Sequence, residues 1–409
     1  MKIIRSTSKK LEKIYNRGFI KQARVEERVK KIVEDVRLFG DEALIKYTRK
    51  FDKVKLSLKQ LKVSQIEISG AYQNISPNFV SSLKVIIENV NRFYRKTIRK
   101  SWRIKDGDGV ILGENYMPIE KVGVYIPAGT APLVSTVYMT VLPAKLAGVK
   151  KIVLISPPDK QGFINPHILV VADLLKVDEI YRVGGAQGIA ALAYGTKTVP
   201  RVDKIVGPGN IYVSEAKRQV FGLVDIDMIA GPTELVVIAN RHSDPKFIIA
   251  DLKAQMEHAK GLAILITNSK GLAREVKSEL DGNNGFIILT KNLEQAAEIS
   301  NKIAPEHLEI LVNNPQRLMK RITNAGAIFL GPYTPTAVGD YIAGPSHVLP
   351  THGTARFSSG LSLFDFVKSN HIISYSKRAL EKMREPLEKI ATIEGLTKHL
   401  DSVKARFQP

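Results

Sequence analysis

KVGVYIPAGTAPLVSTVYMTVLPAKLAGVKKIVLIS, residues 121–156, decides the fold. GVYIP (123–127) is a short β-branched run, followed by a turn of Gly and Pro. Apolar residues then recur at helical spacing over 136–148, and KIVLIS (151–156) is again a strand pattern. A strand, a helix and a strand of these lengths close as a parallel pair with a right-handed crossover. Downstream the pattern repeats, with strands at EIYRV (179–183) and KIVG (204–207) and helices at 166–176, 186–194 and 211–220. A second series follows: LVVIA (235–239), AILIT (263–267), FIILT (286–290), LEILV (308–312) and AIFL (327–330), with helices at 245–259 and 292–303 between strands. The spacing predicts an α/β chain of two tandem parallel-sheet units, with AGPTE (230–234) as the seam.

The 409 residues predict two or three domains, and 44% hydrophobic composition supplies a sizeable core. No apolar run reaches the roughly 18 residues of a membrane span. MKIIRSTSKKLEKIYNRG lacks the apolar core of a secretory signal, so a cytoplasmic location is expected. With no cysteine, thiolate nucleophiles, iron–sulfur clusters and Cys-ligated zinc are excluded. The net charge of +21 is uneven: residues 1–105 hold 27 Lys and Arg against 10 Asp and Glu, and the other 304 hold 34 against 30. Such a surplus raises the question of a nucleic-acid partner. However, Val25, Val29, Ile32, Val33 and Val36 recur at helical spacing among those charges, as do Phe79, Leu83, Ile86, Val90 and Phe93 after Ser76-Pro77. A solvated face of amphipathic helices is therefore expected, and nucleic acid is not.

Neither GxGxxG nor GxxxxGK[ST] occurs. Glycine instead crowds three strand-to-helix turns, IPAGTAP (126–132), VGGAQG (183–188) and VGPGN (206–210). Such turns let backbone approach a ligand and place phosphate at a helix start, although any tight α/β turn looks similar. Gln255 and His258 are spaced i, i+3, which on a helix puts two ligand types on one face and also describes many surface pairs. Pro305-Glu306-His307 sets a carboxylate beside an imidazole at a strand's start, as an acid/base pair or merely a helix exit. Residues 331–360 form a Gly-, Pro-, Ser- and Thr-rich stretch, too long for a connector, that carries Asp340, His347 and His352. His399 lies in the last of the amphipathic helices of 377–406, while His167, His242 and His371 have no polar company. Residue types alone lead to a metal-dependent, nucleotide-using α/β enzyme.

In order along the chain, VGVYIPAGTAPLVSTVYMTVLPAKLAGVKKIVLISPP, GGAQGIAALAYGT, VDKIVGPGNIYVSEAKRQV, IDMIAGPTELVVIA, AQMEH, APEHLEI, VGDYIAGPSHVLPT and EGLTKH resemble segments of the histidinol dehydrogenase family over residues 122–399; the first 120 residues match more loosely. The resemblance implies two Rossmann-like units: a cofactor domain over 120–232, a catalytic domain from 20–119 with 233–362, and small helical terminal segments, 1–19 and 363–409, that exchange in a homodimer. It implies oxidation of L-histidinol through L-histidinaldehyde to L-histidine, the last step of histidine biosynthesis, with two NAD+ consumed. One Zn2+ per subunit would position the substrate, held by Gln255, His258 and Asp340 of one chain and His399 of its partner. His307 would be the general base and Glu306 would activate the water that hydrates the aldehyde. Tyr125, Gln187 and Asn210 fall on cofactor-contact positions. Thr233 and Glu394 fall on substrate-contact positions, which the zinc ligands and His307 share. Thr233 stands where many relatives carry serine, and Gly188 and AGTAP depart from the commoner alanine and GGSAP without removing a functional group. Relatives that oxidise other small alcohols, such as sulfonated diols, are the alternative; Glu394 and His399 in EGLTKH argue against it.

Overall fold

Runs of Val and Ile too short for helices become buried parallel strands, because β-branched side chains pack well on a pleat covered on both faces. The computed structural model describes residues 1–17, 23–129, 131–258, 260–280 and 285–407. Thr130 of the first glycine turn, Ala259 of the expected 245–259 helix and the expected boundary at 19/20 lie outside them. The chain divides into two units, Met1–Thr97 with Ile119–Phe366, and Ile98–Pro118 with Val367–Pro409.

The larger unit holds two parallel sheets. The five-stranded sheet runs, in spatial order, Glu179–Arg182, Lys151–Ser156, Lys121–Tyr125, Lys204–Val206 and Asp225–Ile226. The chain first adds strands on one side of Lys121–Tyr125 and then crosses to the other. That makes a switch point between Lys121–Tyr125 and Lys204–Val206. The six-stranded sheet runs Lys2–Arg5, Gly285–Leu289, Leu262–Thr267, Glu234–Ala239, His307–Leu311 and Ala327–Leu330. Its switch point lies between Glu234–Ala239 and His307–Leu311, which pair with His307 opposite Leu235 and Glu309 opposite Val237.

Helices cover the six-stranded sheet on both faces. Ile238, Ile264, Ile288, Leu308 and Ile310 pack with the helix Leu293–Ile303 on one face. Val237, Ala263, Leu265, Ile287 and Leu311 pack with Pro245–Met256 and Lys270–Glu279 on the other. The charged, amphipathic helix Ala23–Phe39 buries Val29, Ile32, Val33 and Val36 in the core of the five-stranded sheet, among Ala190, Leu192 and Ala216, and leaves most of its charges outward.

The terminal segments hold strands that the sequence reading did not expect. Residues Lys2–Arg5 extend the six-stranded sheet beside Gly285–Leu289. In the smaller unit, Val367–Ser374, Ile111–Pro118 and Trp102–Lys105 form an antiparallel three-stranded sheet, followed by the helices Lys377–Lys382, Arg384–Ile393 and Thr397–Lys404. Among the described residues no helix is long and apolar enough to cross a membrane.

A buried ion pair fixes the turn that follows Lys204–Val206. Lys217 contacts Asp227, both side chains almost fully buried, and its Nζ also donates to the Gly207 carbonyl at 2.8 Å. Asp227 accepts the Gly207 N–H at 2.7 Å. Gly207 has φ +115°, and a Cβ there would lie 2.2 Å from the Tyr125 carbonyl oxygen, so only glycine lets the two central strand ends touch. Replacing one partner strands a buried charge, which costs about 3–5 kcal/mol. Lys217→Met is therefore expected to lose about that much in urea unfolding. Lys62→Met, which breaks a half-exposed pair with Glu179, is expected to lose under about 1 kcal/mol. Equal losses would contradict this account of the turn.

Candidate active site

The helix Leu293–Ile303 ends at Ala304, a non-glycine residue at φ +49°, and Pro305 prevents its continuation. The next two residues, Glu306 and His307, open the strand His307–Leu311 and are both buried. Glu234, at the start of the neighbouring strand, holds both of them through its backbone. Its N–H donates to Glu306 Oε2 at 2.9 Å, and its carbonyl lies 3.1 Å from His307 Nδ1. A carbonyl only accepts, so Nδ1 carries the hydrogen and Nε2 is the nitrogen left to take a proton. His307 Nε2 has no hydrogen-bond partner among the described residues and sits 3.6 Å from Asp340 Oδ1. Glu306 Oε2 is 3.5 Å from His307 Nδ1, and the Thr233 hydroxyl donates to the Glu306 carboxyl.

Burial pushes Glu306 up to about 7, against the pull of His307. Burial works the other way on His307, but the Glu306 charge, with Asp340 next, outweighs it and pushes the imidazole up to about 9. Burial disfavours the Asp340 carboxylate; His307, His347 and His258 outweigh it and hold the group below the usual carboxylate range. His347 bridges Asp340 and the larger unit's other half, with Nδ1 3.0 Å from the Asp340 carbonyl and Nε2 3.2 Å from Thr136 Oγ1. It orders the long loop as a neutral imidazole, its pKa lowered by burial. A cavity of about 440 Å³ opens beside His307, Asp340, His347, Phe329 and Tyr94. Its size is that of a small-molecule site.

The helix carrying Gln255 ends at Met256, so His258 lies just past the helix and not on one helical face with Gln255, as the i, i+3 spacing predicts. The following turn still keeps them together: Gly261 donates to the His258 carbonyl at 2.9 Å. A Cβ at Gly261 would lie 2.5 Å from the Gln255 carbonyl and 3.2 Å from His258 Cβ. Gln255 is buried, and its amide nitrogen has no partner among the described residues. An exposed imidazole whose charge reaches the Asp340 carboxylate, and beside that imidazole a buried amide end without a partner among the described residues, are donor types that suit a borderline divalent cation such as zinc. Among the described residues no group of three or more His, Cys, Asp and Glu side chains is arranged to hold a metal, and glutamine falls outside that set.

In the five-stranded half, Tyr125 ends the central strand and its buried hydroxyl accepts the Gly185 N–H at 3.3 Å; burial pushes it up to about 12. Gln187, in the first turn of Gly185–Tyr194, is buried with its carbonyl oxygen unpartnered among the described residues. Asn210 caps Ile211–Val220, its oxygen accepting from Tyr212 and Val213, which leaves its amide N–H groups as what it offers a ligand. In the smaller unit Glu394 caps Arg384–Ile393 and His399 lies in the first turn of Thr397–Lys404, both exposed.

The sequence reading did not single out Glu234 or Arg17. Arg17 Nε and Nη2 donate to the two Glu234 carboxylate oxygens at 2.6 and 2.5 Å, and Nη1 donates to Ile303 at 2.7 Å. The available signal was a carboxylate opening an otherwise apolar buried strand, ELVVIA.

The family model described as histidinol dehydrogenase matches residues 15–407. The histidinol dehydrogenase of Clostridium acetobutylicum is 49% identical over 397 residues, covering 93% of this chain and 92% of the relative. That of Listeria innocua is 49% identical with the same coverage. The crystal structure of histidinol dehydrogenase from Elizabethkingia anophelis superposes with a TM-score of 0.93 at 36% identity, covering 100% of this chain and 98% of that one. By the family match over nearly its whole length, the identity to these relatives and the shared fold, this chain belongs to the histidinol dehydrogenase family.

Proposed function

We propose that the chain oxidises L-histidinol to L-histidine through L-histidinaldehyde, passing hydride to NAD+ twice. The observation that carries the reading is the orphaned His307 Nε2: buried, with its tautomer fixed by the Glu234 carbonyl, and aimed at the Asp340 side of the cavity. That nitrogen takes the hydroxyl proton of the alcohol as its carbinol hydrogen leaves. Glu306, near neutrality and anchored by Glu234 and Thr233, takes a proton from the water that adds to the aldehyde. The resulting hydrate again carries a carbinol hydrogen, so a second oxidation needs no thiol, in keeping with a chain that has no cysteine.

Gln255, His258 and Asp340 would hold zinc, with His399 of a second copy as the fourth donor. Zinc there supplies a Lewis-acid anchor that orients the imidazole and amine of the substrate. Glu394, from the same exposed segment as His399, would read the substrate's amino-imidazole end. Supply of these two residues by a second copy would make the working unit a homodimer, and a biosynthetic role of this kind would place it in the cytoplasm. Tyr125, Gln187 and Asn210 would contact NAD+, which supplies the hydride acceptor, at the carboxyl ends of the five-stranded sheet.

Below about 9 the His307 base is protonated, so kcat/KM is expected to rise with pH through neutrality and level off at or below about 9, since Asp340 gives up part of its hold on the proton once it is a ligand. His307→Asn should abolish that rise and lower kcat by about 10²–10⁴. An unchanged pH profile in that variant would contradict the role.

The decisive assay is NADH formed per molecule of limiting L-histidinol, before and after treatment with EDTA. Two NADH, abolished by the chelator and restored by zinc, are expected. Glu306→Gln should stop at one, with aldehyde released. One NADH from the unaltered protein would refute the water-activating role of Glu306, and none from zinc-loaded protein would refute the substrate.

A further inference from the structure

Glu309 sits in the middle of His307–Leu311 with none of its surface exposed, two residues from His307 and so on the same face of the sheet. The register sets Val237 and Phe329 beside it. A carboxyl group between these apolar side chains is costly unless fully bonded, and no step above uses it. One oxygen, Oε1, accepts the N–H of Thr336 at 3.0 Å. Thr336 is the first residue of Thr336–Tyr341, the helix that carries Asp340. The other, Oε2, has no conventional donor among the described residues. The helix Pro245–Met256 packs on this same face through Ile248 and Leu252, and the half-buried Asp251 between them, one turn before Gln255, is the carboxyl whose charge acts on Glu309. Two ionised carboxylates have no hydrogen to offer one another, whereas one proton between them supplies the missing donor. Burial and then the Asp251 charge push Glu309 up to about 8, and burial raises Asp251.

We propose that Glu309 and Asp251 share a proton and that Glu309 is thereby a positioning residue, fastening the helix of Gln255 and the helix of Asp340 to the strand of His307. Glu309 reaches neither substrate nor metal itself. It fixes the spacing between two metal donors and the base, as outer groups around metal sites do. The inference rests on the reading of Gln255 and Asp340 as zinc ligands.

The test is zinc affinity of the full-length protein, stripped and then titrated against a chromophoric chelator, for the unaltered chain, E309Q and E309L, with thermal unfolding and the KM for NAD+ recorded on each. E309L is expected to fold, to bind zinc roughly ten- to a hundredfold more weakly and to lose kcat with the KM for NAD+ unchanged. E309Q is expected to stay near the unaltered chain, because its amide accepts from Thr336 and donates to an ionised Asp251. Should E309L fail to fold, D251L carries the same expected loss and D251N the same rescue. Unaltered zinc affinity in folded E309L or D251L overturns the proposal alone, as does E309Q as damaged as E309L. An unaltered chain that binds no zinc overturns the zinc reading and this proposal with it.

Discussion

The backbone of Glu234 is the point on which the site depends. Its N–H and carbonyl grip Glu306 and His307, two side chains from a strand more than seventy residues away in sequence, and they do so because the strands are paired in register. The side chain of the same residue is buried against Arg17, which also reaches the end of the helix leading into Pro305. A bidentate guanidinium–carboxylate pair is the form of buried ion pair whose geometry is most specific. It therefore fixes where the strand begins, and through that where Glu306 and His307 lie. The Thr233 hydroxyl on Glu306 and the Glu234 carboxylate's contact with the His352 N–H extend the same arrangement into the long loop.

The candidate residues of the two parallel sheets lie at opposite strand ends. In the five-stranded sheet Tyr125 ends its strand, and Gln187 and Asn210 lie at helix beginnings, where N–H groups and the helix dipole favour phosphate. In the six-stranded sheet Thr233, Glu306 and His307 precede or open strands, and Gln255 and His258 lie at a helix end. Carboxyl ends of helices favour positive charge. The proposed dinucleotide at the first and cation at the second would both follow from one rule applied to two polarities.

The central strands of both sheets were legible in the sequence because they are buried on both faces, and continuous Val and Ile runs such as KIVLIS and LVVIA admit little else; the two-residue strand Asp225–Ile226 was not. The antiparallel sheet was not. Trp102–Lys105 is exposed throughout and Val367–Ser374 is mostly so, so neither carries the apolar pattern that marks a strand. Lys2–Arg5 is only four residues, paired with a strand 280 residues on, which no local pattern reports. At the site, Glu306 and His307 stood out as a dipeptide, but their partner is the backbone of Glu234, and backbone partners leave no trace in residue type. Glu309 and Asp251 were hidden for a related reason: no local pattern shows that the helix Pro245–Met256 packs on the Glu309 face of the sheet. The basic residues of the first quarter look like a binding face by count, yet the helix Ala23–Phe39 uses its apolar stripe as core.

The central claim is that one carbonyl sets the tautomer of the base, and nitrogen-15 NMR of histidine-labelled protein tests it most directly. There are eight histidines, and His307→Asn assigns the signal. Above its pKa, His307 should show a protonated Nδ1 and a bare Nε2. A protonated Nε2 with a bare Nδ1 would contradict the account, because the nitrogen facing the cavity could then accept no proton.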